Sequence, residues 1–226
     1  MNNIRLESNK ALLRGKIKNT FVFDHETRGE VFYRCDLEIM RLSGNYDVLP
    51  ITVSERICNV TDYNEGDFIE VIGQIRSYNT YKPDGKNSLK IFGFAKEIKK
   101  LEYDCYTNEI TIRGFLCKPP IFRVTPYERK ITDLLVAVNR LYGKSDYIPT
   151  IVWGRNAIYA KGLPVGTELI LKGRFQSRNY SKTLENGEKV ERTALELSIN
   201  VLNVVKESES EETSKAPDEV SFEEVK

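Results

Sequence analysis

Apolar and polar residues alternate along most of the chain with a period of two rather than with the period of a helix. Within residues 169–178, Leu169 and Leu171 fall on one side, whereas Lys172 and Arg174 fall on the other. This alternation predicts a strand with one buried face and one face in water. The same pattern elsewhere predicts strands at residues 11–17, 32–41, 48–54, 69–78 and 89–98, and again at 110–116, 132–139, 148–152 and 194–205.

Two of these strands carry a glycine at the same central position, Gly73 and Gly173. A glycine in the middle of a strand weakens it and usually marks a bulge or a sharp bend. Residues 55–64 and 155–161, which precede the two bent strands, have a helical composition instead. These features predict small, strongly coiled barrels.

The chain contains the same pattern twice. Residues 9–15 recur as 108–114, and residues 41–50 recur as 140–149, both at an offset of 99 that becomes 100 beyond Pro149. A period of about a hundred residues is far longer than that of a solenoid repeat, so each copy is a domain. We expect domains at 1–101 and 108–206, a short linker at 102–107 and a disordered acidic tail at 207–226.

Five strands with a short helix between the third and fourth are the order of the OB-fold, a partly open barrel that binds oligonucleotides and oligosaccharides. The predicted fold class is therefore all-β, with two tandem five-stranded OB-fold barrels and an acidic tail. Strands four and five of each copy extend into a long arm with tips at 82–86 and 185–189. The shift between Leu89 and Leu195 makes the second arm about six residues longer.

Charge is distributed unevenly over the 226 residues. The formal net charge is +1, but residues 207–226 hold eight acidic side chains and two lysines, so the remainder carries +7. A basic body suggests a polyanionic partner, although a plain globular protein with a disordered end fits the composition equally well. No signal peptide or membrane span is apparent, so we expect a cytoplasmic protein.

The chain offers few residues for metal binding or catalysis. Four cysteines without CxxC spacing and a single histidine supply zinc poorly, so no metal or cofactor is expected. Neither paired carboxylates, a P-loop nor a Gly-x-Ser-x-Gly elbow occurs, and we expect no enzyme. Asp47 and Asp146 recur beside glycine turns, where a carboxylate usually caps the turn.

Binding of single-stranded nucleic acid requires cations along the phosphates and aromatic faces against the bases. The candidates are outward-facing cations and aromatic residues of the strands and arms. In copy one they are Arg14, Arg41, Arg76, Tyr78 and Tyr81; in copy two they are Arg113, Arg140, Trp153, Arg155, Lys172, Arg174, Arg178 and Tyr180. Any one cation could be a solubilising residue, and Trp153 could belong to the core because it shares a strand face with Ile151.

The second copy resembles the bacterial and phage single-stranded DNA-binding proteins. The resemblance is carried by residues 108–114, 135–140, 151–155 and 171–180 and by the last strand at 196–205. It implies that Trp153 and Tyr180 stack on bases, and that Arg140, Arg174 and Arg178 lie near the DNA.

The first copy and the tail depart from that family pattern. Ser54 stands where copy two has Trp153, so DNA binding by copy one would rely on Tyr78 and Tyr81. In the tail, Asp218, Glu219 and Phe222 resemble the acidic segment through which the family recruits replication and repair proteins, but four more residues follow.

Together these features predict sequence-nonspecific binding and protection of single-stranded DNA in replication, recombination and repair. A nucleoid-associated protein is expected, assembled as a homodimer with four OB domains. Two alternatives stay open: an OB-fold scaffold of the primosome or recombination machinery that acts mainly through protein contacts, and an accessory domain that delivers DNA to a nuclease or helicase.

Overall fold

The structure is a computed structural model that describes residues 8–81, 87–140, 143–183 and 187–205. The predicted acidic tail, with Asp218, Glu219 and Phe222, lies outside these residues, as do most of the two arm tips and the side chain of Tyr81. No helix in the described part of the chain is long and apolar enough to cross a membrane.

Strands dominate the described residues. The first half contains β1 (Asn9–Ile17), β2 (Val22–Thr27), β3 (Glu30–Met40), β4 (Tyr46–Ser54), β5 (Phe68–Tyr81) and β6 (Asn87–Lys100). The second half contains β7 (Thr107–Leu116), β8 (Ile121–Val124), β9 (Lys130–Asn139), β10 (Ser145–Trp153), α1 (Gly154–Ala160), β11 (Glu168–Thr183) and β12 (Lys189–Val204).

Each half closes into a five-stranded barrel. In the first barrel, β1 pairs with β5 along most of its length and with β3 at its end, β3 pairs with β4, β4 runs parallel to β6, and β6 returns to β5. In the second barrel, β7, β9, β10, β12 and β11 are joined in the same order. The predicted all-β fold of two tandem OB barrels is confirmed.

Two strands were not predicted from the sequence. β2 forms a hairpin with β3, and β8 forms a hairpin with β9. Nearly every residue of β2 and all of β8 are exposed, so neither strand has the alternation of buried and exposed positions that identifies a strand.

The mid-strand glycines bend β5 and β11 as expected. The pairing register shifts between Ile72 and Gly73, and between Lys172 and Gly173. A Cβ atom on Gly73 would lie 2.1 Å from the carbonyl oxygen of Phe94, and one on Gly173 would lie 2.1 Å from that of Ser198. Only glycine fits where the neighbouring strand approaches this closely.

The segment before β5 is less helical than its composition suggested. Within residues 55–64 the structure contains a single 3-10 turn, Val60–Asp62. Asn59 caps the turn, and its side-chain oxygen accepts a hydrogen bond from the Thr61 amide. In the second barrel α1 instead buries Ala157 and Ala160. Such an apolar stripe stabilises a helix against the barrel, and the turn of the first barrel buries no residue.

The pairing also corrects the difference between the two arms. Gly73 lies opposite Ala95, 22 residues later, and Gly173 lies opposite Ile199, 26 residues later. The second arm is therefore four residues longer, and Leu89 is not the counterpart of Leu195.

The two barrels form one continuous sheet. β1 and β7 pair antiparallel from Asn9 opposite Ile112 to Arg14 opposite Thr107, so they are neighbouring strands at the centre of the sheet. Buried apolar residues of both barrels, from Ala11 to Ile199, belong to a single cluster. This pairing fixes how the outer faces of the two barrels lie relative to each other.

Candidate nucleic-acid interface

A groove of about 890 Å³ crosses the outer face of the second barrel. It runs over β7, β11 and β12 to the junction of β10 and α1. Polar, basic and aromatic side chains line it, among them Trp153, Asn156, Lys172, Arg174, Asn200 and, from the first barrel, Arg41.

Trp153 forms part of the groove wall. It is the last residue of β10 and lies opposite Ile131 of β9. Its indole Nε1 donates to the hydroxyl oxygen of Ser198, 3.0 Å away on β12. Trp153 is half-buried, whereas the preceding Ile151 and Val152 belong to the buried residues. An indole held in this way presents an aromatic surface to the groove without an unsatisfied donor.

Lys172 and Arg174 line the groove together with this indole, and Arg155 follows it in α1. Lys172, Arg174 and Arg155 are exposed, and among the described residues the structure shows no ion pair for any of them. The pKa of Arg174 is lowered, first because surrounding atoms partly desolvate its guanidinium and then by the neighbouring Arg41 guanidinium, and Asp47 partly offsets this. Two guanidinium groups at one site repel each other, and an anion such as a phosphate would relieve that repulsion.

Arg178 and Tyr180 lie farther along β11, where the arm leaves the barrel. The Arg178 guanidinium lies 5.7 Å from the centre of the Tyr180 ring, and its Nε donates to Glu196 Oε1 at 3.1 Å. Tyr180 is 37% exposed. The structure therefore brings Trp153, Lys172 and Arg174 together in the groove and places these two residues on the adjoining arm.

Arg41 and Arg140 hold the two barrels together. Arg41 pairs with the buried Asp47 and donates 2.8 Å to the carbonyl oxygen of Ser177 in the second barrel. The Ser177 amide donates to Asp47 at 2.7 Å. We call this set the Arg41 clamp.

The same contacts occur in the opposite direction. Arg140 pairs with the buried Asp146 and donates 2.9 Å to the carbonyl oxygen of Ser77 in the first barrel, and the Ser77 amide donates to Asp146. We call this set the Arg140 clamp. The recurring aspartates thus link the barrels, and the interpretation of Asp47 and Asp146 as simple turn caps is wrong.

Two further candidate arginines are paired within their own barrels. Arg14 Nε lies 2.5 Å from Glu70, and Arg113 Nε lies 2.7 Å from Glu168. Hydrogen bonds to these carboxylates raise the pKa of both arginines. Neither residue belongs to the groove lining.

The candidates of the first barrel lie near an aromatic surface. The Arg76 guanidinium lies 5.3 Å from the centre of the Phe94 ring, and Arg76 Nε has no hydrogen-bond partner among the described residues. Tyr78 is 48% exposed and contacts Phe92 edge-on. Ser54, at the position of Trp153, donates to Glu30.

Several groove residues were not predicted from the sequence. Thr111, Asn156, Ser198 and Asn200 are small polar residues on a strand or helix, and such residues give no signal that separates a binding surface from a solvated one. Arg129, on the loop before β9, lines the groove as well. In the described parts of the chain, no group of three or more His, Cys, Asp or Glu could hold a metal ion.

The fold and the groove define a tandem OB-fold protein with a basic, aromatic surface. Residues 107–205 match the model of the Single-strand binding protein family. The match spans the second barrel, and it confirms the resemblance seen in the motifs of that barrel.

A curated relative also resembles part of the chain. The chain is 32% identical over 80 residues to the single-stranded DNA-binding protein of Clostridium tetani (strain Massachusetts / E88). The aligned segment covers 32% of this chain and 55% of that protein. The chain thus spans about half the length of this relative.

The solved structures cover nearly the whole chain. The wild-type single-stranded DNA binding protein from Thermus aquaticus superposes with a TM-score of 0.70 at 18% identity, covering 92% of this chain and 98% of that one. A deletion mutant of the same protein gives 0.69 at 19% identity, covering 91% and 98%. At this level of identity the likeness establishes the fold of both barrels.

Proposed function

We propose that the protein binds and protects single-stranded DNA without sequence preference during replication, recombination and repair, and that it is not an enzyme. Bases stack on Trp153 in the groove and on Tyr180 on the arm, and phosphates contact Lys172, Arg174 and Arg155. We also propose the domain boundaries that the sequence predicts. The first domain ends at residue 101, the linker ends at residue 107 and the second domain ends at residue 206.

One observation carries the proposal. Trp153 is fixed in the groove wall by Ser198, and the cations beside it have no ion pair among the described residues. Stacking is independent of sequence because every base has a π-face, and phosphate contacts are independent of sequence because every nucleotide has a phosphate. A groove with both groups therefore fits a single strand of any sequence.

Fluorescence anisotropy of labelled oligo-dT tests the proposal. A labelled duplex of the same length serves as the control ligand. We expect tight binding of oligo-dT at low salt, weaker binding at high salt and much weaker binding of the duplex. Absence of binding at low salt would favour the scaffold function, in which the barrels contact proteins instead.

We also propose a homodimer with four OB domains, and contacts of the acidic tail with replication and repair proteins at the nucleoid. Exposed apolar residues of the edge strands, such as Phe23 on β2 and Ile121 on β8, are 63% and 64% exposed and support association of copies. Light scattering at micromolar concentration should give twice the chain mass of 26.0 kDa, whereas a monomer mass would contradict the dimer.

A further inference from the structure

In the second barrel, residues of three strands form the aromatic part of the groove. Trp153 lies opposite Ile131 of β9, and Ser198 of β12 holds its indole. Three positions on three strands therefore surround the aromatic surface of the groove.

The first barrel has aromatic rings at two of these three positions. Ser54 lies opposite Phe32 of β3, just as Trp153 lies opposite Ile131, and Phe94 of β6 has the register of Ser198. Phe32 and Phe94 thus flank the place that the tryptophan occupies in the second barrel. Their ring centres lie 6.0 Å apart.

Further rings extend this pair into a row across the first barrel. Tyr78 contacts Phe92 with ring centres 5.7 Å apart, and His25 stacks on Phe32 at 4.7 Å with the planes 9° apart. Arg76 lies opposite Phe92 in the register and over the Phe94 ring. We call Tyr78, Phe92, Phe94, Phe32 and His25 the aromatic row.

The second barrel has different chemistry at one end of this row. Arg178 and Glu196, which form an ion pair, take the places of Tyr78 and Phe92. The aromatic row is therefore specific to the first barrel.

The row faces water rather than the core. On β6 the core residues are Ile91 and Ala95, so Phe92 and Phe94 alternate to the outer face, where each is partly exposed. His25 and Tyr78 at the two ends are exposed. Apolar rings grouped on the outer face of a sheet, rather than in its core, indicate an interaction surface.

Cations adjoin the row and indicate the charge of its ligand. The Arg76 side chain lies close to Arg140, which reaches over from the second barrel, and the two arginines share the single carboxylate of Asp146. Lys90 is exposed and lies directly opposite Tyr78. Rings interleaved with cations suit a strand of bases joined by phosphates better than an apolar peptide.

We propose that the aromatic row is a second binding site for single-stranded DNA, built from residues other than those of the groove in the second barrel. This inference rests on the proposed function. It assigns contacts to the first barrel, which lies outside the residues 107–205 that match the family.

The test uses the full chain with the groove disabled by Trp153→Ala, Lys172→Ala and Arg174→Ala together. On that background Phe32→Leu and Phe94→Leu remove the rings but keep most of the apolar volume. Tyr103→Leu is the matched control, because Tyr103 is an exposed aromatic residue of the linker. Affinity for labelled oligo-dT is measured by anisotropy, and folding is checked by denaturant unfolding.

We expect the groove variant to bind oligo-dT measurably at low salt. Each further ring substitution should weaken binding roughly 5- to 150-fold, the equivalent of one lost base stack, and the Tyr103 control should leave it unchanged. If either Phe variant fails to fold, Tyr78→Leu, at an exposed ring, replaces it with the same expected loss.

Two results would overturn the inference while leaving the proposed function intact. In the first result, the wild-type protein binds oligo-dT but the groove variant does not. In the second result, the groove variant still binds oligo-dT, and replacing Phe32 and Phe94 does not weaken that binding. This result is expected if the aromatic row binds a protein partner instead. Failure of the wild-type protein to bind would instead refute the proposed function.

Discussion

Whether a basic side chain is paired decides how it can contribute to binding. Lys172 and Arg174 lie in the groove without an ion pair among the described residues, whereas Arg113 bonds to Glu168. A cation that contacts a phosphate displaces bound counterions, so it contributes to the salt dependence of affinity. A cation already neutralised by a carboxylate contributes little.

The salt dependence of oligo-dT binding measures this difference. Lys172→Ala and Arg174→Ala should each lower the slope of log affinity against log salt concentration by about 0.7, the value for one phosphate contact on a single strand. Arg113→Ala removes the same charge outside the groove and should leave the slope nearly unchanged. Equal changes in all three variants would mean that only net charge matters.

At the scale of the elements, the bends of β5 and β11 shape both outer faces. Because a Cβ atom at either glycine would overlap a backbone carbonyl of the neighbouring strand, that strand would have to move. Gly73→Ala and Gly173→Ala should each lower the free energy of unfolding by about 1–3 kcal/mol. Gly162→Ala, where the nearest atom is 3.9 Å away, should change it by less than about 0.5 kcal/mol.

Denaturant unfolding provides the comparison. A loss at Gly162 as large as that at Gly73 or Gly173 would show that backbone freedom, rather than contact between strands, requires glycine in the bends.

The sequence predicted those elements whose residues report their own surroundings. Alternation identified the barrel strands, and the repeated Gly73 and Gly173 identified the bends. It missed β2 and β8, since strands exposed on both faces have no alternation. The length assigned to the second arm was wrong because Leu89 was matched to Leu195, and that error concealed the correspondence of Phe94 with Ser198.

The candidate site was predictable only in part for a related reason. Motifs located Trp153, Lys172 and Arg174, which lie together in the groove. The clamp functions of Arg41 and Arg140 depend on the pairing of β1 with β7, and that pairing joins residues about a hundred positions apart. Nothing in a local pattern distinguishes an arginine facing DNA from one facing another barrel.

At the scale of the whole molecule, the Arg41 and Arg140 clamps join barrels that β1 and β7 already connect. Asp47→Ala would remove the buried carboxylate that accepts hydrogen bonds from both the Arg41 guanidinium and the Ser177 amide. Because Arg41 is 25% exposed and Asp47 is 1% exposed, we expect the free energy of unfolding to fall by about 2–4 kcal/mol.

Asp133→Ala is the matched control for this prediction. It breaks the ion pair with Arg123, in which the Arg123 side chain is 45% exposed and the Asp133 side chain is 37% exposed. The free energy of unfolding should therefore fall by at most about 1 kcal/mol. Chemical denaturation of the full chain measures both variants. Equal losses would mean that the Arg41 clamp contributes no more than an ordinary surface ion pair.

We propose that a single strand of DNA lies in the groove against Trp153. Because Trp153 is the only tryptophan in the chain, its fluorescence reports this contact directly. Titration of the full chain with oligo-dT at low salt should quench the emission strongly, and added salt should restore it as the DNA dissociates. Oligo-dT that binds by anisotropy without changing the tryptophan emission would contradict the claim.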